Sequence, residues 1–265
     1  MEAYDFEYDG IKLSDMGYMI CVIDTSLDNA IPTGIEMTPN TISTFSGKKY
    51  ELTSNTYNDT ITSTFEICKR CKKDWHMTVE EVRTIARWLN RINYHKLKFI
   101  GSEYSEFYYE AKFNITQIEK SGRILGLQLD MVTNKPYATH EPVKISFSPS
   151  KKSQYIIQDF SDEEGFLCPD VAIEVNEDCD LSILVNHANN TLSDTKIKNC
   201  KAGEKISLIY PIIQSSLESH SSVADDFNWD FPKLGNVYGD VKNKITISNA
   251  CKISFVYSPI VKFGV

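Results

Sequence analysis

The chain has 265 residues, long for one domain and comfortable for two, and its 42% hydrophobic and 24% charged residues exclude a disordered protein. A net charge of −8, from 28 basic and 36 acidic residues, excludes tight nucleic-acid binding through the whole surface, because phosphates must be met by Lys and Arg. No apolar run approaches the ~18 residues of a membrane span.

The first segment, Met1-Glu2-Ala3-Tyr4-Asp5, is acidic and lacks a charged-then-apolar leader, so a protein made and kept in a cytoplasm is expected. The seven cysteines agree: they are odd in number, scattered and set in apolar surroundings, and read as reduced, buried thiols. Tyr4 to Tyr8 alternates aromatic and acidic residues and predicts a strand, closed by the hairpin turn Asp9-Gly10. Gly17 to Ile23 predicts a second strand, and residues 24 to 34 a loop. The polar stretch from Thr38 to Thr64 predicts a long hairpin or arm.

One helix stands out. Thr78 precedes Val79-Glu80-Glu81, with Glu81 placed to close a capping box, and Val82, Ile85, Ala86, Leu89 and Ile92 then keep helical spacing, with Trp88 at the edge of the stripe. Strands resume at Lys96 to Ile100, Glu106 to Phe113 and Ile124 to Val132. Prolines 136 and 142 bracket a domain boundary, since neither fits inside paired strands. Beyond it Lys144 to Ser148, Val171 to Asn176, Leu181 to Asn186 and Lys205 to Tyr210 alternate with period two, separated by turn residues, as in a β-sandwich. The aromatic bend Asn228-Trp229-Asp230-Phe231-Pro232 leads into two last strands, where Ile245 and Ile247, then Ile253, Phe255 and Tyr257, mark the core side. Trp229 and Phe231 are expected to be at least half buried.

Residues that could carry chemistry fall short of the patterns chemistry requires. Cys68-Lys69-Arg70-Cys71 with His76 is one thiol pair where structural zinc wants four ligands. Asp162-Glu163-Glu164, Glu177-Asp178-Cys179-Asp180 and Asp225-Asp226 read as solvated turns; the loop calcium pattern is missing. There is no GxSxG elbow, phosphate-binding Gly loop or HExxH pair, and the five histidines are dispersed. The chain therefore reads as no enzyme, with no catalytic residue, metal or cofactor.

Three stretches resemble one family. They are Phe6 to Gly17, with its aromatic, its Gly10 turn and its polar step into a second strand; Arg87-Trp88-Leu89, Lys96-Leu97-Lys98-Phe99 and Tyr108-Tyr109-Glu110-Ala111-Lys112; and the Asn228-Trp229 bend with Phe231, Pro232 and the closing strands. In this order they are similar to the siphophage distal tail proteins. The resemblance implies a mainly β fold of two β-sandwich-like domains: residues 1–137, ring-forming and with one α-helix, and residues 138–265, galectin-like. It makes Phe6, Gly10, Trp88, Leu89, Tyr109, Asn228, Trp229, Phe231 and Pro232 structural motif positions. It also implies a structural hub of the phage tail tip, a virion component made in the host cytoplasm. That hub is a homo-hexameric ring joining the tail tube protein to the baseplate, with a tail-associated lysin or hub protein below it and the tape measure protein in its lumen. The alternative is a carbohydrate-binding β-sandwich module for the host surface, with Tyr104, Tyr108, Trp229 and Tyr238 as stacking rings. A third reading, a β-sandwich enzyme, would need a deep pocket lined by two carboxylates.

Overall fold

The computed structural model describes residues 4–21, 37–42, 52–57, 60–70, 75–101, 105–187, 191–237 and 242–262. The predicted loop at 24–34 lies outside these residues. The chain divides into two units: one reaches His140 and includes Val261, the other is Glu141–Ile260.

In the first unit the acid–aromatic alternation forms β1 (Asp5–Tyr8), with Phe6 and Tyr8 turned inward. Asp9 and Gly10 both take positive φ, 53° and 79°, so the chain doubles back into β2 (Ile11–Lys12) with Tyr8 opposite Ile11. A two-residue turn of that hand matches the twist of its strands, and glycine adopts it without strain. Four strands follow: β3 (Tyr18–Cys21), β4 (Met37–Ile42), β5 (Leu52–Tyr57) and β6 (Thr62–Lys69). The predicted arm corresponds to β4 and β5, which pair from Met37–Tyr57 to Ile42–Leu52 as a two-stranded sheet of their own. Residues 43–51 and 58–59 of that stretch lie outside the described residues.

The helix α1 (Val79–Leu89) carries the expected capping box: Glu81 N donates to Thr78 Oγ1 at 3.3 Å and Thr78 N to Glu81 Oε2 at 2.7 Å. Its stripe ends earlier than the spacing suggested. Ile92 is 91% exposed, because Asn90 leaves the helical conformation and its side-chain amide donates to Phe113 O at 2.9 Å. Next come β7 (His95–Ile100), β8 (Phe107–Lys120), β9 (Arg123–Thr133) and β10 (Ala138–His140). The main sheet runs β2-β1-β7-β8-β9-β6-β3, with β10 beside β8. The helix packs on β8, and Val82, Ile85, Trp88 and Leu89 enter one core with Phe6, Phe99 and Tyr109.

The second unit contains β11 (Val143–Phe147), β12 (Ser153–Ile157), β13 (Gly165–Leu167), β14 (Asp170–Val175), β15 (Cys179–Asn186), β16 (Leu192–Cys200), β17 (Lys205–Ile209), β18 (Ile212–Ser215), β19 (Leu234–Asn236), β20 (Asn243–Ile247) and β21 (Cys251–Tyr257). A short β22 (Ile260–Val261) follows, whose Val261 is buried in the first unit's core. Two antiparallel sheets, β11-β21-β14-β17-β18 and β12-β20-β15-β16, face each other across a shared apolar core. Val171, Ile173 and Phe255 meet Ile183, Val185 and Ile245 there, which makes this unit a β-sandwich. The fold is therefore mainly β, with two β-rich domains.

Candidate functional site

In the first unit Phe6, Trp88, Leu89 and Tyr109 share one buried cluster. Phe6 stacks on Trp88 with ring centroids 5.8 Å apart and planes 10° apart. Tyr8 meets the same indole edge-on at 6.2 Å, and its carbonyl accepts Trp88 Nε1–H at 3.2 Å. Gly10 stands at the adjoining turn, where Arg91 pairs with Asp9 at 2.9 Å and lies 5.0 Å over the Tyr8 ring. Desolvation raises the Tyr8 phenol pKa, so its hydroxyl stays protonated and donates to Ala111 O.

In the second unit Asn228 and Asp230 form a clamp. Asn228 Oδ1 accepts Lys196 N–H at 2.9 Å and its amide donates to Asp194 O at 2.6 Å. Asp230 accepts Asp194 N–H at 2.7 Å through Oδ2 and the Thr195 hydroxyl at 2.6 Å through its carbonyl. Both residues are thus stitched to β16, an edge strand, and cover part of its exposed polar backbone. Between them Trp229 is forced to φ 59°, a conformation costly for a bulky side chain. Phe231 is 4% exposed and Pro232 is buried, as expected of core residues. Trp229 is not: at 57% exposure it contradicts the half-buried expectation, because the left-handed backbone sets its ring at the outer edge of the aromatic cluster, 5.6 Å from Phe227 and 6.5 Å from Phe231, while those two pack edge-to-face at 4.9 Å.

The residues weighed for chemistry have structural partners. Cys68 is on β6 beside Cys21, whose thiol pKa is pushed up by burial and by Cys68 itself. Lys69 spans Glu81 at 2.8 Å and His76 O at 2.9 Å, and His76 contacts Arg123 at 3.2 Å. Cys71 lies outside the described residues, as do Tyr104 and Tyr238. Among the described residues no group of three His, Cys, Asp or Glu could hold a metal. Asp178 accepts Ala202 N–H at 2.9 Å and Lys201 Nζ–H at 3.2 Å, and Asp180 accepts Asn199 N–H at 2.9 Å, so these carboxylates fasten turns.

One cluster escaped the sequence. His220, 5% exposed, bridges Glu204 Oε1 at 2.7 Å and Asp226 Oδ2 at 3.1 Å, while fully buried Glu204 also accepts Lys201 N–H and the Ser215 hydroxyl. The Ser215 hydroxyl donates to the Glu204 carboxylate and not to the imidazole. A signal was present in the spacing of Glu204, Ser215 and His220 about one hairpin, but the pairing of β17 with β18 is needed to see it.

Two family models account for nearly the whole chain: a phage tail protein N-terminal domain over residues 1–135 and a phage tail C-terminal domain over residues 137–257. The chain belongs to this phage tail protein family. Among solved structures this tail protein has the fold of the SPP1 Dit (gp 19.1) protein, described as a paradigm of the hub adsorption apparatus in phages that infect Gram-positive hosts. The TM-score is 0.66 at 10% identity, over 97% of this chain and 99% of that one. Two phage P2 baseplate structures in the activated conformation also match. The calcium form has TM-score 0.49 at 8% identity, covering 98% of this chain and 99% of that one; the strontium form has 0.45 at 6%, covering 96% and 97%. No curated protein matches the tail protein's sequence.

Proposed function

We propose that this tail protein is the structural, non-enzymatic hub of a phage tail tip. In this reading it is a virion component whose residues 1–137 build a homo-hexameric ring and whose residues 138–265 form a galectin-like sandwich. The ring joins the tail tube protein to a tail-associated lysin or hub protein, with the tape measure protein passing through its lumen. The observation that carries the reading is the agreement in fold with the SPP1 Dit protein across both units. The separate β4–β5 sheet supports it, since a hairpin of that kind can add its strands to the sheet edge of a neighbouring copy. Charge suits a conduit for DNA: six copies at −8 each give a ring of −48, which repels a polyanion.

Negative-stain microscopy of the purified protein, alone and with the tail tube protein, tests the ring. Six-fold rings are expected, and a species that stays monomeric under both conditions rejects them. Deleting Thr41 to Thr60 should leave folded monomers; rings formed by that variant would remove the arm from the assembly. A lumen lined mainly by Lys and Arg would overturn the conduit argument. Carbohydrate binding to the host surface is the second reading, favoured by the exposed Trp229 ring. It wins if Trp229→Ala abolishes glycan binding while melting is unchanged.

A further inference from the structure

The outer face of the second unit's five-stranded sheet carries a depression of about 430 Å³. Its floor is one row of small side chains crossing four strands: Ser146 opposite Ser254, Ser254 opposite Ala172, and Ala172 opposite Ser207. Side chains two residues along each strand point to the same face, so the next row is also exposed there. That row is Lys252 opposite Glu174 and Glu174 opposite Lys205. On the other side of the floor stands Lys144, on β11. With strands about 4.8 Å apart and about 3.4 Å per residue, Lys252 and Lys205 are ~10 Å apart and Lys144 is ~14 Å along the strands from them.

The charge is concentrated against the trend of the molecule. Three lysines and one glutamate line this depression on a chain of net charge −8. Lys252 is 3.3 Å from Glu174, whereas the Lys144 and Lys205 ammonium groups have no ion pair among the described residues. The floor adds three hydroxyls, from Ser146, Ser254 and Ser207, which can donate and accept. The one ring among the lining residues, Phe147, turns to the core side, opposite buried Ile253, and stacks on Tyr155 at 4.1 Å. A neutral sugar held by stacking therefore finds no platform. The floor strands β21, β14 and β17 are interior strands whose backbone groups pair on both sides. The fourth, β11, is the edge of the sheet, so a peptide adding itself as a strand would pair along β11, beside the depression and not across its floor.

We infer that this depression binds an acidic oligosaccharide, a ligand carrying carboxylate, sulfate or phosphate groups among free hydroxyls. Lys144, Lys205 and Lys252 meet the anionic groups, and the serine hydroxyls with Glu174 meet the sugar hydroxyls. The site stands whether or not the ring forms, and Trp229 takes no part in it.

Calorimetric titration of the full chain tests this with four probes: a heparin-derived hexasaccharide, hexagalacturonate, maltohexaose and hexaglutamate. Both acidic sugars should bind, more weakly as salt is raised, and the two distinguish sulfate from carboxylate as the better anion. The Lys144→Gln, Lys205→Gln, Lys252→Gln triple variant should lose at least about tenfold in affinity with its melting curve unchanged, since these are exposed charges. The corresponding triple Arg variant should retain binding. Ser254→Trp, which fills the floor, should abolish it, and Trp229→Ala should leave it unchanged. The inference is overturned if neither acidic sugar binds, if maltohexaose binds as well as they do, if hexaglutamate binds as tightly, or if the triple Gln variant keeps its affinity.

Discussion

Replacing Trp88 by alanine should come close to unfolding the first unit. The indole is 8% exposed, stacks on Phe6 and donates Nε1–H to Tyr8 O. Truncating a buried tryptophan costs about 3–5 kcal/mol. The stacked and edge-on rings add ~1 kcal/mol beyond buried area, and the Tyr8 carbonyl left without its donor about 1 kcal/mol more. The sum, roughly 5–7 kcal/mol, is comparable with the whole stability of an ordinary domain. Trp88→Phe keeps a ring against Phe6 and loses chiefly the hydrogen bond and some volume, so about 1–2 kcal/mol is expected. Urea unfolding followed by far-ultraviolet circular dichroism reads both variants, with the second unit's transition as an internal reference. The reasoning fails if Trp88→Ala lies within about 1 kcal/mol of the parent, or if Trp88→Phe is as damaging as Trp88→Ala.

Three further outcomes are expected. Phe231→Ala should destabilise the second unit by about 3–4 kcal/mol and Trp229→Ala by less than ~1 kcal/mol, because truncation of the exposed ring leaves the core filled; equal shifts in calorimetric melting would contradict the assignment. Burial pushes the Cys200 thiol up to about 12 and the Cys251 thiol to about 11, so iodoacetamide near pH ~8 should label neither in the native protein and both in urea, as read by peptide mass spectrometry. Desolvation holds His187 below its ordinary value, so the unfolded chain takes up a proton first as the pH falls. The second unit should be most stable above about pH 6.5 and lose melting temperature as pH drops through that value, and His187→Asn should flatten this part of the profile.

What the sequence disclosed was local. The capping box of α1, the Asp9-Gly10 turn and the alternation in β20 and β21 depend on neighbours within a few residues, and each is present as read. Strand β16 was not legible because two of its inward positions, Ser193 and Thr195, are polar; Thr195 is satisfied there by Asp230 O, some thirty-five residues on. Ile92 continued the helical spacing, and only the bond from Asn90 to a distant strand shows why the helix stops. Trp229 looked like a core residue because aromatic character says nothing about backbone handedness. The lysine-lined depression was invisible for a topological reason: Lys144, Glu174, Lys205 and Lys252 come from four strands that only the sheet order makes neighbours.

Val261 gives the first unit an unusual relation to the ribosome. Its side chain sits in that unit's core, yet the whole of Glu141–Ile260 is translated between it and the rest of that core. Domains emerging from synthesis generally fold in order, the amino-terminal one first. Here the leading unit can assemble its main sheet early but completes its packing only after the trailing unit has been made. Maturation of the first unit is thereby tied to delivery of the second, and a chain interrupted within the sandwich would carry a first unit with an unfilled place in its core.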